Sequence, residues 1–303
     1  MPCRERLIER GLAMLAEDKI AFFEENGYLL VEQVVSTELL GRLRTDFNAW
    51  VYESRHHTAP YGETLDGRPR FDLETDHTSD KPALRRVASP IEVSAAYLEA
   101  MRAPALVEAV AAVIGPNVKF HHCKINSKLP GTATAVKWHQ DFPFTPHSND
   151  DLVTALLMVD DVTDDNGPLE IWPGTHRGAI HDLWRGDRFT GAVDEAFGRT
   201  CQTNAVRCTG SAGSACLMHT RLLHGSAPNL SSDPRTLFIS VYSADDARPL
   251  GENPLPSRYE GMVVHGKATG RVRSTPFDIR LPQKPTGASF FTQQAETTTP
   301  VGP

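Results

Sequence analysis

Apolar positions follow two rhythms along this chain. From Asp18 to Asn26, Ile20, Phe22 and Phe23 stand among acidic residues at helical spacing, and Gly27 can take the left-handed conformation that closes a helix. A short strand, Tyr28 to Val31, follows. Ser36 caps a second predicted helix, in which Leu39, Leu43 and Phe47 recur every fourth residue as one apolar stripe. Pro104 at a start and Gly115-Pro116 past an end bracket a third, Ala-rich helix. From Val118 the rhythm shortens to strand-like runs: Val118 to Lys128, Ala135 to Asp141, Leu152 to Val159, Leu169 to Trp172, Ser214 to Met218 and Leu237 to Ser243. Turn clusters such as Asp164-Asp165-Asn166-Gly167-Pro168 separate them.

This order predicts a mainly β fold with flanking helices, an antiparallel barrel or double-sheet jelly roll. The expected organisation is one domain over 1–303. Residues 18–117 form a mainly helical part with a long polar loop at 52–82, and 118–243 form the jelly-roll core with a polar insertion at 185–204. A C-terminal extension, 244–303, has an end that frays after Ala288. Composition changes this picture little: 40% hydrophobic and 23% charged residues are ordinary for a globular protein. A net charge of −7 argues against nucleic acid or a membrane surface as partner, since both demand a basic footprint, and leaves a small molecule. No signal-peptide core and no long apolar run is seen, so a cytoplasmic protein is expected. The five cysteines, at 3, 123, 201, 208 and 216, lack zinc or dithiol spacings and read as reduced packing residues.

The chemistry concentrates in Trp138-His139-Gln140-Asp141. An imidazole and a carboxylate two residues apart at a strand end point to the same face and can chelate one ion. His224, between a predicted strand and Gly225, is the candidate third ligand. Two histidines and a carboxylate on one face of an octahedral ion leave three sites open, the arrangement of iron oxygenases. Arg235 lies eleven residues after His224, and its guanidinium could grip a distal carboxylate in a fork, with Ser226 donating a further hydrogen bond. His219 and His176 read as local structural residues, and His56, His57 and His77 as solvated loop residues. Asp160-Asp161 and Asp164-Asp165 read as solvated turn acids.

Five segments, in order, resemble the phytanoyl-CoA dioxygenase family of iron and 2-oxoglutarate oxygenases: Phe22-Phe23-Glu24-Glu25-Asn26-Gly27-Tyr28, Trp138-His139-Gln140-Asp141, Asn166-Gly167-Pro168-Leu169, Pro173-Gly174-Thr175-His176 and His224-Gly225-Ser226-Ala227-Pro228-Asn229. The resemblance implies a double-stranded β-helix of cupin-like type. Fe(II) would be held by His139, Asp141 and His224, with 2-oxoglutarate and O2 as co-substrates and Arg235 with Ser226 at the far carboxylate. Strand alternation would set His122, Lys124, Asn126 and Lys128 on one face. Lys124, Asn126 and Thr154 are then candidate co-substrate contacts, and His122, Lys128, Phe142 and Trp172 candidate substrate contacts. The implied reaction is hydroxylation of an unactivated C–H bond with release of succinate and CO2, since the Asp141 carboxylate occupies the place that a halide would need.

An acyl-CoA would require a cationic surface for its phosphates, and only scattered Arg55, Arg68, Arg70, Arg85 and Arg86 stand near the long loop, which favours a smaller metabolite or natural product. Two other classes fit the same ligands. One is a cupin-like metal-dependent isomerase or hydrolase, for which Arg235 would be dispensable; the other is a non-catalytic metal-binding module on the same fold. Nothing in the sequence speaks to oligomeric state.

Overall fold

The computed structural model describes residues 15–131 and 134–284. The helices are α1 (Glu17–Asn26), α2 (Thr37–Ser54), α3 (Ala95–Met101), α4 (Pro104–Ile114) and α5 (Glu195–Thr203). The strands of the larger sheet are β1 (Tyr28–Val31), β2 (Phe71–Leu73), β3 (Leu84–Ala88), β4 (Val118–Lys128), β6 (Leu152–Met158), β11 (Ala215–His219), β13 (Arg235–Ala244) and β14 (Val263–His265). The smaller sheet holds β5 (Val136–His139), β7 (Leu169–Ile171), β10 (Val206–Cys208) and β12 (His224–Ser226), and β8 (Trp184–Arg185) pairs with β9 (Arg188–Phe189). The larger sheet runs β1-β11-β6-β13-β4-β3-β2 with β14 along β4; the smaller runs β10-β7-β12-β5. All the pairings are antiparallel, and the two sheets make the cupin-like jelly roll.

Two apolar layers explain why the central strands are buried on both faces. On the outer face, Val153, Ala155 and Leu157 of β6 and Phe238 and Tyr242 of β13 meet Leu39, Leu43 and Phe47 of α2 and Leu106 and Val110 of α4. Each Val, Leu or Phe among them contributes about 1.5–3 kcal/mol on burial. On the inner face, Leu156 and Met158 of β6 and Leu237 and Ile239 of β13 meet Leu169, Ile171 and Cys208 of the smaller sheet. The α2 stripe starts where expected, since the Ser36 hydroxyl accepts from the Leu39 N–H at 3.1 Å, a cap worth about 1 kcal/mol. Gly27 closes α1 at φ 78°.

Two expectations are corrected. The 52–82 stretch is not a plain loop: α2 runs to Ser54, and the remainder holds β2, which pairs with β3 just beyond it. Arg70 is buried there with its guanidinium on the carbonyls of Ala88, Ser89 and Glu63. A segment that buries a polar side chain on backbone carbonyls shows no apolar period to read. Residues 185–204 likewise hold part of the β8–β9 hairpin and α5, on which only Cys201 is buried. Helix α3, between the loop and α4, was not anticipated. Cys123, Cys201, Cys208 and Cys216 are free and buried, whereas Cys3 and the tail after Ala288 lie outside the described residues. Among the described residues no helix is long and apolar enough to cross a membrane.

Candidate metal centre and its cavities

His139 ends β5 and His224 begins β12, and the two stand directly opposite each other in the smaller sheet, with ring centroids 4.1 Å apart. Asp141 is past the strand. It stands at the start of the 3-10 turn Phe142–Phe144 in helical backbone conformation, so a turn rather than strand alternation aims its carboxylate. Asp141 Oδ1 lies 3.6 Å from His139 Nε2 and 3.7 Å from His224 Nε2. One ligand atom from each of the three lies within 4.8 Å of the others.

Both imidazoles are prepared for a metal through their other nitrogen. His139 Nδ1 is 2.8 Å from the Lys137 carbonyl and His224 Nδ1 is 2.9 Å from the Leu222 carbonyl. A carbonyl only accepts, so each Nδ1 carries the proton and each Nε2 presents a lone pair toward the carboxylate. This N, N, O donor set suits Fe(II). Thr154, inward on β6, donates to Asp141 Oδ2 at 2.7 Å. Gln140 ties the motif to two loops: its amide NH2 donates to the carbonyls of Ala179 and Arg221, and its Oε1 accepts from the His181 N–H. Burial raises the Asp141 carboxyl, but positive charge around it, on the His224 and His139 rings when they are protonated and on the Lys124 ammonium, more than offsets this and holds it well below the usual carboxylate range. Burial and then His139 lower the His224 imidazole to about 4, which keeps it neutral and ready to ligate.

A narrow cavity on one side of the triad is lined by Arg235, Ser226, Lys128, Asn126, Lys124 and Thr154, among others. Here the Lys128 ammonium donates to Ser226 Oγ at 2.7 Å and to the Ala227 carbonyl. Arg235 gives its Nε and Nη2 to the Gly167 carbonyl at 2.9 and 2.6 Å. Burial followed by repulsion from Arg235 brings Lys128 down to about 6, and burial brings Arg235 down to about 10. On the other side opens a cavity of about 440 Å³, reached by His122, Lys124, Phe144, Thr145 and Val241. That is the size of a small-molecule site.

The inward face of β4 thus carries His122, Lys124, Asn126 and Lys128, as the cavities show. A β-bulge sets this face: Val241 pairs with His122 and Tyr242 with Phe120, leaving His121 as the extra residue. Two candidates fall elsewhere. Phe142 is fully buried with its ring edge on Phe277, 5.3 Å away, because the turn that aims Asp141 inward sends the next side chain back into the core. Trp172 packs on the aromatic group around Trp138 and Phe197, outside both cavities. His77 is not a solvated residue either: its Nε2 faces the Ser54 and His57 carbonyls and its Nδ1 accepts from Ala83. Asp160 accepts from the Thr236 N–H and so braces β13 instead of merely lining a turn.

Reasoning from sequence missed several cavity residues. Arg86 of β3 was seen only as one of several scattered arginines. Leu255, Leu281 and Lys284 come from the C-terminal extension, for which no motif spoke. The legible signal was Leu84-Arg85-Arg86-Val87-Ala88, a strand in which one arginine must point inward.

The family model described as phytanoyl-CoA dioxygenase matches residues 23–237. A probable alpha-ketoglutarate-dependent hypophosphite dioxygenase of Stutzerimonas stutzeri is 29% identical over 289 residues, covering 93% of this chain and 97% of that protein. L-proline trans-4-hydroxylase of Streptomyces griseoviridis is 34% identical over 187 residues, 54% of this chain and 70% of that protein. The fold matches that of EctD from S. alaskensis with bound Fe at a TM-score of 0.64 and 20% identity, over 87% of this chain and 89% of that one.

Proposed function

Because this chain belongs to the phytanoyl-CoA dioxygenase family and is an Fe(II)- and 2-oxoglutarate-dependent dioxygenase, we propose that it hydroxylates an unactivated C–H bond of a small organic metabolite or natural product, releasing succinate and CO2. His139, Asp141 and His224 would hold the iron through two Nε2 atoms and one carboxylate oxygen. Bound there, the metal supplies the oxygen activation that couples oxidative decarboxylation of 2-oxoglutarate to oxidation of the substrate.

The rest falls to the protein's own groups. Arg235 and Ser226 take the far carboxylate of the co-substrate in the narrow cavity, with the Lys128 ammonium beside them and Lys124 and Asn126 along its wall. Thr154 holds the Asp141 carboxylate in one orientation. The larger cavity positions the substrate and keeps water away, with Phe144 edge-on to His139 at 5.7 Å. The observation that carries this reading is the placement of the triad where two cavities meet, a narrow one that bears Arg235 and a larger one.

The test is anaerobic addition of Fe(II) and 2-oxoglutarate to metal-free protein, followed by the weak visible charge-transfer band of the chelate. The band is expected in the wild type and absent in His139→Ala. Arg235→Ala should need more than tenfold more co-substrate to reach it. Iron that binds without any band on adding 2-oxoglutarate would overturn the reading.

A further inference from the structure

The larger cavity is cationic in a way that hydroxylation alone does not require. Arg68, Arg86, Lys124 and Lys284 line it, against only two carboxylates, Asp141 and Glu252. The mouth neutralises itself. Lys284 pairs with Asp66 at 3.0 Å and with the exposed Glu252 at 3.5 Å, and Arg68 pairs with Asp66 at 2.9 Å. On the floor the lining residues bring two cations, Arg86 and Lys124, against one carboxylate, Asp141. Arg86 is only 5% exposed, and Asp72, the carboxylate that acts on it, is not among the lining residues and also pairs with Arg85 at 2.8 Å. The carboxylate acting on Lys124 is Asp141, whose charge is committed to the metal site.

His122 adds a third group of the same character. Its Nδ1 lies 2.7 Å from His121 Nδ1, so one of the two nitrogens carries the proton. His121 Nε2 is buried without a partner. A buried N–H left unpaired is the costlier state, so His121 keeps its proton on Nδ1 and donates it to His122 Nδ1. His122 therefore carries its own proton on Nε2, the nitrogen left for the cavity. The bulge at His121 is what allows two consecutive histidines to meet in this way.

From this floor we infer that the substrate carries an oxyanion headgroup, a carboxylate or a phosphonate, seated against Arg86, Lys124 and the Nε2–H of His122 with its reacting C–H toward the triad. The inference rests on the iron and co-substrate reading, which fills the Arg235 end and leaves the Arg86 end for substrate. A charged headgroup with several fixed donors also supplies what hydroxylation of a flexible small molecule needs, one orientation of one C–H.

The test uses hexanoate, pentylphosphonate and the uncharged hexanamide, titrated calorimetrically and without oxygen into protein holding Fe(II) and 2-oxoglutarate. At least one acid is expected to bind tenfold or more tightly than the amide, and the better of the two identifies the headgroup. Arg86→Gln should erase the preference and Arg86→Lys should retain part of it, while the co-substrate titration followed by the chelate band moves less than twofold in both. Equal binding of acid and amide, or a preference lost in Arg235→Gln and kept in Arg86→Gln, overturns the inference. Where Arg86→Gln fails to fold, the wild-type comparison and Arg86→Lys decide. If the wild type gives no chelate band, the co-substrate reading fails by itself, and the same titrations on metal-free protein decide the headgroup: an Arg86-dependent preference for the acids supports it, and its absence sinks it.

Discussion

At the residue scale, the site works by fixing which atoms carry protons. Backbone carbonyls hold the Nδ1 protons of His139 and His224, and Thr154 does the corresponding work for the carboxylate. Thr154→Val keeps the shape and removes the donor to Asp141 Oδ2. Iron affinity should drop about 10–100-fold, the usual effect of losing a hydrogen bond to a ligand, as read by competition with a chelator. Lys128 makes a prediction about pH. With its ammonium brought down to about 6, it is mostly neutral at pH 7.5 in the free protein. A co-substrate carboxylate beside it stabilises the charged form, so binding draws in a proton. Affinity for 2-oxoglutarate should therefore weaken as pH rises above 6, by up to about tenfold per pH unit until the raised value in the complex is passed. Calorimetry in two buffers of different ionisation heat would show uptake of close to one proton near pH 7.5, and Lys128→Met would show none.

At the scale of elements, turns and bulges aim the side chains that strands alone would misdirect. The turn before β7 is the clearest case. Gly167 sits at φ +79°, and a Cβ there would meet the Ala227 carbonyl oxygen at 2.7 Å and Lys128 Cδ at 3.0 Å. Its own carbonyl anchors Arg235. Gly167→Ala should destabilise the protein by about 1–3 kcal/mol and raise the 2-oxoglutarate needed for the chelate band several-fold, because the carbonyl cannot move without taking Arg235 with it. Thermal unfolding and the band titration together check this; a loss of stability with unchanged co-substrate affinity would refute the coupling.

At the scale of the whole molecule, the interior stores histidines as neutral groups. His121, His122 and His147 form a buried cluster, with the His121 and His147 rings 4.8 Å apart. Burial, then repulsion from His147, lowers His121 to about 3, and burial lowers His147 to about 4. An unfolded imidazole titrates near 6.5, so between these values the unfolded chain binds more protons than the native one. The contribution of these histidines to stability is then complete above about pH 6.5 and is lost as pH drops from there through 4, by up to about 1.4 kcal/mol per histidine for each pH unit crossed. Urea midpoints should decline below about pH 6, and His147→Leu should decline less steeply there.

The sequence by itself determined the class of fold and pointed to the candidate ligand set. Strand rhythm, turn clusters and helix caps are local, and His139, Asp141 and His224 stand inside short segments whose neighbours are diagnostic. Strands β2 and β3 stayed hidden because β2 is three residues long and β3 buries an arginine, so neither shows alternation. Only the tertiary structure decided that His139 and His224 face each other across two strands, that Phe142 turns into the core while Phe144 reaches the cavity, and that Arg86 joins Lys124 at its floor. The physical reason is the same in each case. A side chain's direction depends on pairing register, on a bulge or on a turn, and those are set by contacts between segments far apart in the chain.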